Sequence, residues 1–240
     1  MILVAQKNAV QFIKKCLDSV LNQTYKNYVV AVMDDCSTDG TWEIVQTYPL
    51  PFYGIRNHEP REDWCKNFII GINAFTKPND IIVFLSGDDW FYSDDVLEHL
   101  NKVYQDKDTW LTYGSFVASS GTWGTDFCKP LANTRTYRSS KQWITSHLIT
   151  CRKKLWDKIK PEDLLYKDGK YPNHSFDNAF MFPMVEMAGL KHLKFVDKLM
   201  MVYNDQNPLC LENYKKDPGA CMRERRYWCS RPSYAELTEL

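Results

Sequence analysis

The sequence has no C-x-x-C pair, no glycine-rich turn after its first hydrophobic run and no long apolar stretch. Each gap argues against a class of function. The eight cysteines stand apart at 16, 36, 65, 128, 151, 210, 221 and 229, which fits neither a zinc site nor a small disulfide scaffold. The apolar runs fall far short of the roughly 20 residues of a transmembrane helix. No G-x-G-x-x-G follows the first strand, which argues against a dinucleotide oxidoreductase. Gln6 to Gln11 holds no glycine and one lysine, unlike the basic, Gly-rich triphosphate loop of a nucleotidyltransferase. Excess charge is also absent: 30 Lys and Arg balance 30 Asp and Glu, so no nucleic-acid partner is expected. No charged-then-apolar leader opens the sequence, and a soluble, cytoplasmic, reduced protein is expected.

What is present suits one globular domain of 240 residues, 44% hydrophobic and 14% aromatic, with enough length for a buried core. Ile2–Ala5 reads as a strand, and Val10, Ile13, Leu17, Val20 and Leu21 recur at helical spacing behind Asn8. Tyr28–Met33 and Ile81–Leu85 are continuous apolar runs typical of strands covered on both faces. Between them Trp42–Tyr48 predicts a helix, Phe52–Ile55 a strand and Trp64–Phe75 a helix. This alternation predicts an α/β fold with a mostly parallel sheet and right-handed crossovers. Later come a helix from the Ser93 cap to Tyr104, a strand at Trp110–Ala118, a strand near His147–Thr150 and a basic helix at Arg152–Ile159. Phe176–Ala188 predicts a helix kinked at Pro183, and Phe195–Tyr203 a hairpin or edge strand.

In such sheets ligands bind beyond the carboxyl ends of the strands. Two acidic runs lie there: Asp34-Asp35-Cys36-Ser37-Thr38-Asp39-Gly40 and Ser86-Gly87-Asp88-Asp89. Paired carboxylates beyond a buried strand concentrate negative charge, which a hard divalent cation would relieve. A capped surface turn is the bland alternative for Ser86–Asp89. Asp34, Ser37 and Thr38 could equally fix their own turn.

Three ordered segments carry a resemblance. Asn8 to Tyr25, with its Cys16-Leu17-Asp18-Ser19-Val20-Leu21-Asn22-Gln23-Thr24-Tyr25 core, Asp34 to Thr41, and Leu85 to Trp90 together resemble the family 2 glycosyltransferases. The resemblance spans about the first 90 residues closely and extends loosely to Asn207. It implies a GT-A (Rossmann-like) fold, mostly parallel and flanked by helices, with a small antiparallel C-terminal part. Residues 1–207 would form that domain, with a nucleotide-sugar half at 1–118 and an acceptor half at 119–207. Residues 208–240 would be a tail or helical extension, packing on the domain, forming an oligomer contact or touching a membrane surface. The implied donor is a nucleotide-diphosphate sugar, the acceptor a hydroxyl on a glycan, lipid or protein, and the cofactor Mn²⁺ or Mg²⁺.

By position, the resemblance assigns Ala5, Asn8, Asp34 and Asp35 to the nucleotide pocket, Asp35 foremost. Asp88 becomes the metal ligand, with Ser86, Gly87 and Asp89 around it. Ser86 stands where the family carries an aspartate, which keeps an inactive sugar-nucleotide-binding module in play. Of the family's basic segment at 61–67 only Asn67 corresponds clearly; Lys66 or Arg56 would approach the diphosphate or remain solvated. Asp177, opening a late helix, is the implied catalytic base and otherwise a helix-terminal charge. Asp163 and Asp168 are weaker competitors, and Glu186 is read as structural. His147 would complete the metal shell, contact the diphosphate or pack in the core. Trp90, Trp123 and Trp143 would stack on sugars or pack. The Arg223–Trp228 segment lacks the glutamine of a processive Q-x-x-R-W motif, so processivity is rejected.

Overall fold

The computed structural model describes residues 1–49, 51–59, 65–172, 174–209 and 215–240. Eight strands form one sheet: β1 (Ile2–Gln6), β2 (Val30–Asp34), β3 (Phe52–Arg56), β4 (Ile81–Ser86), β5 (Trp90–Phe91), β6 (Leu111–Ala118), β7 (Thr150–Arg152) and β8 (Leu193–Tyr203), in the order β3-β2-β1-β4-β7-β6-β8-β5. The expected α/β fold is found. β1 pairs in parallel with β2 and β4, and β2 with β3, whereas β7 runs antiparallel to β4 and β6.

α1 (Ile13–Leu21) buries Ile13, Cys16, Leu17 and Val20, the stripe that its spacing predicts. α2 (Thr41–Val45) is shorter than expected, and α3 (Lys66–Phe75) buries Asn67, Phe68, Gly71 and Ile72. α4 (Val96–Tyr104) starts beyond Asp95 rather than at Ser93. Two short helices follow, α5 (Tyr137–Ser140) and α6 (Lys153–Trp156). α7 (Phe176–His192) is buried almost all round, as befits a helix held between sheet and other helices.

Three further expectations change. Pro183 sits in α7 with helical neighbours, and the break falls at Gly189, φ +58°, which only glycine adopts without strain. β8 is no hairpin: it pairs in parallel with β6 and antiparallel with β5, lying between them. The strand near His147 starts at Thr150 instead.

The sheet cannot be flat. Only Gly87, Asp88 and Asp89 separate β4 from β5, a link that extends to about 14 Å. The sheet order puts β5 four strands from β4, about 19 Å across a flat sheet. The sheet therefore curls until its far edge meets the end of β4.

The C-terminal segment packs on the domain. α8 (Ala220–Ser230) buries Trp228, 1% exposed. Arg138 donates to both Glu186 oxygens (2.7 and 2.8 Å) and to the Trp228 carbonyl (3.0 Å). The chain beyond returns to α7, with Tyr234 N–H on Glu186 (2.9 Å) and Leu237 N–H on the Met187 carbonyl (2.8 Å). Glu186 is structural, as read from sequence. Among the described residues no helix is long and apolar enough to cross a membrane, and no described cysteine is in a disulfide.

The β6–β8 pairing changes register at Gly114. A Cβ on Gly114 would lie 2.6 Å from the Val196 carbonyl oxygen and 2.5 Å from Met200 Cε. Gly114→Ala is expected to cost about 1–3 kcal/mol through this overpacking, read as a lower midpoint in urea unfolding.

Candidate active site

Register brings the two acidic runs together. Gln6 pairs with Asp34 on one side of β1, and Ala5 with Ser86 on the other, so the ends of β2 and β4 lie about 10 Å apart across two strand spacings. Ala5 itself is buried within β1 and contributes its carbonyl to the Gly87 N–H (3.0 Å). A Cβ on Gly87 would collide with Gln6 Cβ; the close approach that this glycine permits is to β1.

The turn after β2 is tightly bonded. Asp34, 1% exposed, accepts from Gln6 Nε2 and from the Ser37 N–H (3.0 Å), and Arg56 Nε lies 3.5 Å from it. Arg56 also donates to the Ser37 carbonyl (2.6 Å), so it braces this turn while its side chain stays exposed. Asn8 takes a left-handed φ of +49°, a region its short polar side chain tolerates. Its N–H meets Ser37 Oγ (2.8 Å), and its side-chain oxygen accepts the Thr38 N–H (3.0 Å). Asp34, Ser37 and Thr38 thus do fix the turn.

Asp35 is equally buried. Its carboxylate accepts Asn57 Nδ2 (2.8 Å) and pairs with Lys7 Nζ (3.2 Å). The same Asn57 amide reaches Asn67 Oδ1 (2.9 Å), joining the ends of β2, β3 and α3. Asn57 was missed from sequence, although it occupies the first position past β3 on the edge where ligands gather. Lys66 opens α3 half-buried. The Arg61–Trp64 part of the basic segment lies outside the described residues.

Asp88 and Asp89 differ in environment. Asp88 is half-exposed and takes Asn207 Nδ2 at 2.6 Å. Asp89 is buried and accepts the Asn204 N–H at 2.8 Å. Burial and then the Asp88 charge push the Asp89 carboxyl well above the usual range, against that N–H. Asn204 and Asn207, just past β8, were not singled out as partners of the acidic run. Among the described residues no group of three or more His, Cys, Asp and Glu is arranged to hold a metal ion.

Asp177 lies in the first turn of α7. Phe176 stacks near Phe68 at the start of α3 (6.2 Å), and Phe180 on Phe84 of β4 (4.8 Å). α3 starts on the carboxyl side of the sheet, so Asp177 sits toward the same edge. Burial lifts its carboxyl to about 6, opposed by the Asn178 N–H and the Arg225 charge. Glu224 of α8 accepts the N–H groups of His174 (3.0 Å) and Ser175 (2.8 Å) and the Ser175 hydroxyl, so a second helix anchors the residues that lead into the turn carrying Asp177. Asp163 is engaged by Arg231 and Tyr234, and Asp168 accepts the Lys170 N–H.

His147 stacks on Tyr203 (5.4 Å) with Phe116 edge-on (5.7 Å). Burial lowers its pKa to about 4, so the ring is neutral at pH 7. Trp143 is buried, and Lys15 Nζ lies 3.5 Å over the Trp90 ring.

The family model described as Glycosyl transferase family 2 matches residues 1–159. Glycosyltransferase GlyA of Streptococcus pneumoniae is 30% identical over 125 residues, 50% of this chain and 17% of that protein. The UDP-Glc:alpha-D-GlcNAc-diphosphoundecaprenol beta-1,3-glucosyltransferase WfaP of Escherichia coli is 28% identical over 109 residues, 44% of this chain and 41% of that protein. The chain thus spans less than half the length of either curated relative. Among solved structures, S. aureus TarS 1–349 in complex with UDP-GlcNAc superposes with a TM-score of 0.69 at 16% identity, over 86% of this chain and 58% of that one. The mannosyltransferase PcManGT from Pyrobaculum calidifontis, in complex with GDP-Man and Mn²⁺, gives 0.62 at 16% identity, over 98% and 65%.

Asn57→Ala would leave the buried Asp35 carboxylate short of a donor. The expected cost is about 1–3 kcal/mol, measured by urea unfolding against wild type.

Proposed function

The chain belongs to glycosyl transferase family 2, and we propose that it moves a hexosyl group from a UDP-sugar to an acceptor hydroxyl with inversion at the anomeric carbon. The observation that carries this reading is the convergence of Asp34-Asp35 and Asp88 on one sheet edge, enforced by the pairing of β1 with β2 and β4. WfaP is named for a UDP-glucose donor and TarS was solved with UDP-GlcNAc, which supports the choice of donor.

In this reading Asp34 holds the turn, and Asp35, with Asn57 and Asn67, borders the nucleoside. A carboxylate there accepts a hydrogen bond from a base N–H or ribose hydroxyl. Asn8 shapes the adjoining wall through its bonds to Ser37 and Thr38, and Lys66 lies beside the diphosphate. Asp88 is the proposed ligand for Mg²⁺ or Mn²⁺. The donor set fits: a half-exposed carboxylate of hard oxygens beside a second one whose ionisation it opposes. When bound, such a cation neutralises charge on the leaving diphosphate. Ser86 and Gly87 set the height of Asp88 against β1, and Asp89 fixes its direction through Asn204.

The acceptor oxygen attacks the anomeric carbon, and its proton passes to Asp177. The bond from that carbon to the diphosphate oxygen breaks, and the electron pair leaves with UDP. A carboxyl with a pKa of about 6 is largely ionised at pH 7 and still basic enough to accept the proton. His147 stays in its aromatic cluster as a neutral packing residue.

Two measurements test this. In thermal-shift assays with UDP-glucose or UDP-GlcNAc and Mn²⁺, ligand at a hundredfold its Kd stabilises by about 2.7 kcal/mol. Asp88→Ala is expected to lose the Mn²⁺-dependent part of that shift, and absence of any shift in the wild type sinks the reading. For transfer, the rate is expected to fall about tenfold per pH unit below about 6, where Asp177 takes up its proton. Asp177→Asn should keep the donor-induced shift and lose transfer, read as acceptor-dependent UDP release.

A further inference from the structure

The acceptor half carries an aromatic surface that the transfer chemistry does not use. Beyond β6 the chain turns sharply: the Ala118 N–H bonds the Trp123 carbonyl (2.9 Å), Gly121 N–H the Ala118 carbonyl (2.8 Å), and Ser119 N–H the Tyr203 carbonyl (2.8 Å). Gly124, at φ +112°, lets the loop close where a Cβ would stand 3.0 Å from the Phe116 carbonyl oxygen. Trp123 crowns this turn at 42% exposure, with Phe127 beside it at 37%. Trp110, Trp143, Trp156 and Trp228 are buried, whereas Trp123 stands outside the hydrophobic core.

The ring is clamped. Its indole N–H donates to Asp205 Oδ2 at 2.8 Å. Asp205 also takes Ser120 Oγ (2.6 Å), Ser120 N–H (3.0 Å) and Ser119 Oγ (3.0 Å). Against the opposing effect of burial, these bonds hold the carboxyl down to about 2, so Asp205 is charged at pH 7. Tyr203, Phe116 and Phe127 meet the indole at 5.5–6.0 Å, all steeply inclined. An aromatic face fixed in advance loses little freedom when something stacks on it.

This platform joins the acidic run directly. Asp205 lies between Asn204, whose N–H holds Asp89, and Asn207, whose amide holds Asp88. Those two asparagines are at most about 11 Å apart along the chain. We propose that Trp123, flanked by Phe127 and rimmed by Ser120, Thr122 and Asp205, is an acceptor subsite that stacks on the apolar face of a pyranose and takes its hydroxyls on the rim. The proposal rests on the glycosyl-transfer reading and adds the acceptor class, a glycan. A hydroxyl and carboxylate rim around one ring suits a sugar, with its C–H face and hydroxyl edge; the fixed negative charge opposes an anionic membrane surface.

Saturation-transfer NMR on the full chain tests it with methyl β-D-glucopyranoside, methyl β-D-galactopyranoside and methyl N-acetyl-β-D-glucosaminide. At least one is expected to take saturation on its ring protons. Trp123→Ala should reduce it about fivefold or more, and Trp123→Phe less, since part of the stacking face survives. The UDP-glucose thermal shift of both variants should match wild type, which establishes that they fold and keep the donor side. Phe127→Ala gives a second reading if Trp123→Ala does not fold, with a partial loss expected. No transfer to any glycoside in the wild type, or undiminished transfer in the folded variants, overturns the subsite. Loss of the nucleotide-sugar shift in the wild type would instead overturn the parent reading, and the two results are read independently.

Discussion

Three residues between β4 and β5 constrain the whole molecule. Gly87, Asp88 and Asp89 are too few to cross a flat sheet, so the sheet closes on itself and the end of β8 arrives beside the end of β4. The link that forces this closure is also the acidic run. Asp89 is buried at the seam, and a buried carboxylate requires a donor; the Asn204 N–H supplies it. Asp88 stays half-exposed at the same seam, held by Asn207. Curvature of the sheet and placement of a carboxylate at its edge are one event.

The second constraint comes from the C-terminal segment. Arg138 and Glu186 form a buried pair that also engages the Trp228 carbonyl and the Tyr234 N–H. Such a pair contributes little against an apolar alternative, yet removing one partner strands a charge at a cost of about 3–5 kcal/mol. It locks α5, α7, α8 and the last residues into one arrangement. Glu224 holds the residues just ahead of α7, the N–H groups of His174 and Ser175, where Ser175 itself makes no side-chain capping bond.

Much of this was legible in the sequence because strands covered on both faces show as unbroken apolar runs, as at Tyr28–Met33 and Ile81–Leu85. The carboxyl-edge rule then places Asp34, Asp35 and Asp88 with no further information. The rest depended on distant pairings. Nothing local in Asn57 reveals that it bonds both Asp35 and Asn67. Pro183 signals a kink, but its neighbours stay helical, and the break comes at Gly189, where Glu236 leaves no room for a Cβ. β8 reads as a hairpin or edge strand, and its parallel pairing with the distant β6 and its two-residue pairing with β5 are long-range contacts that the local sequence does not carry.

The anchoring of the entry to α7 by Glu224 bears on chimeras. The family match ends at residue 159, but the helix turn carrying Asp177 is completed by residues some fifty positions further on. A recombination point that transplants α7 while retaining the recipient's own C-terminal helix would bring two partners never fitted to each other. The inheritable block runs from α7 to the last residues, with α8 travelling alongside the helix it supports.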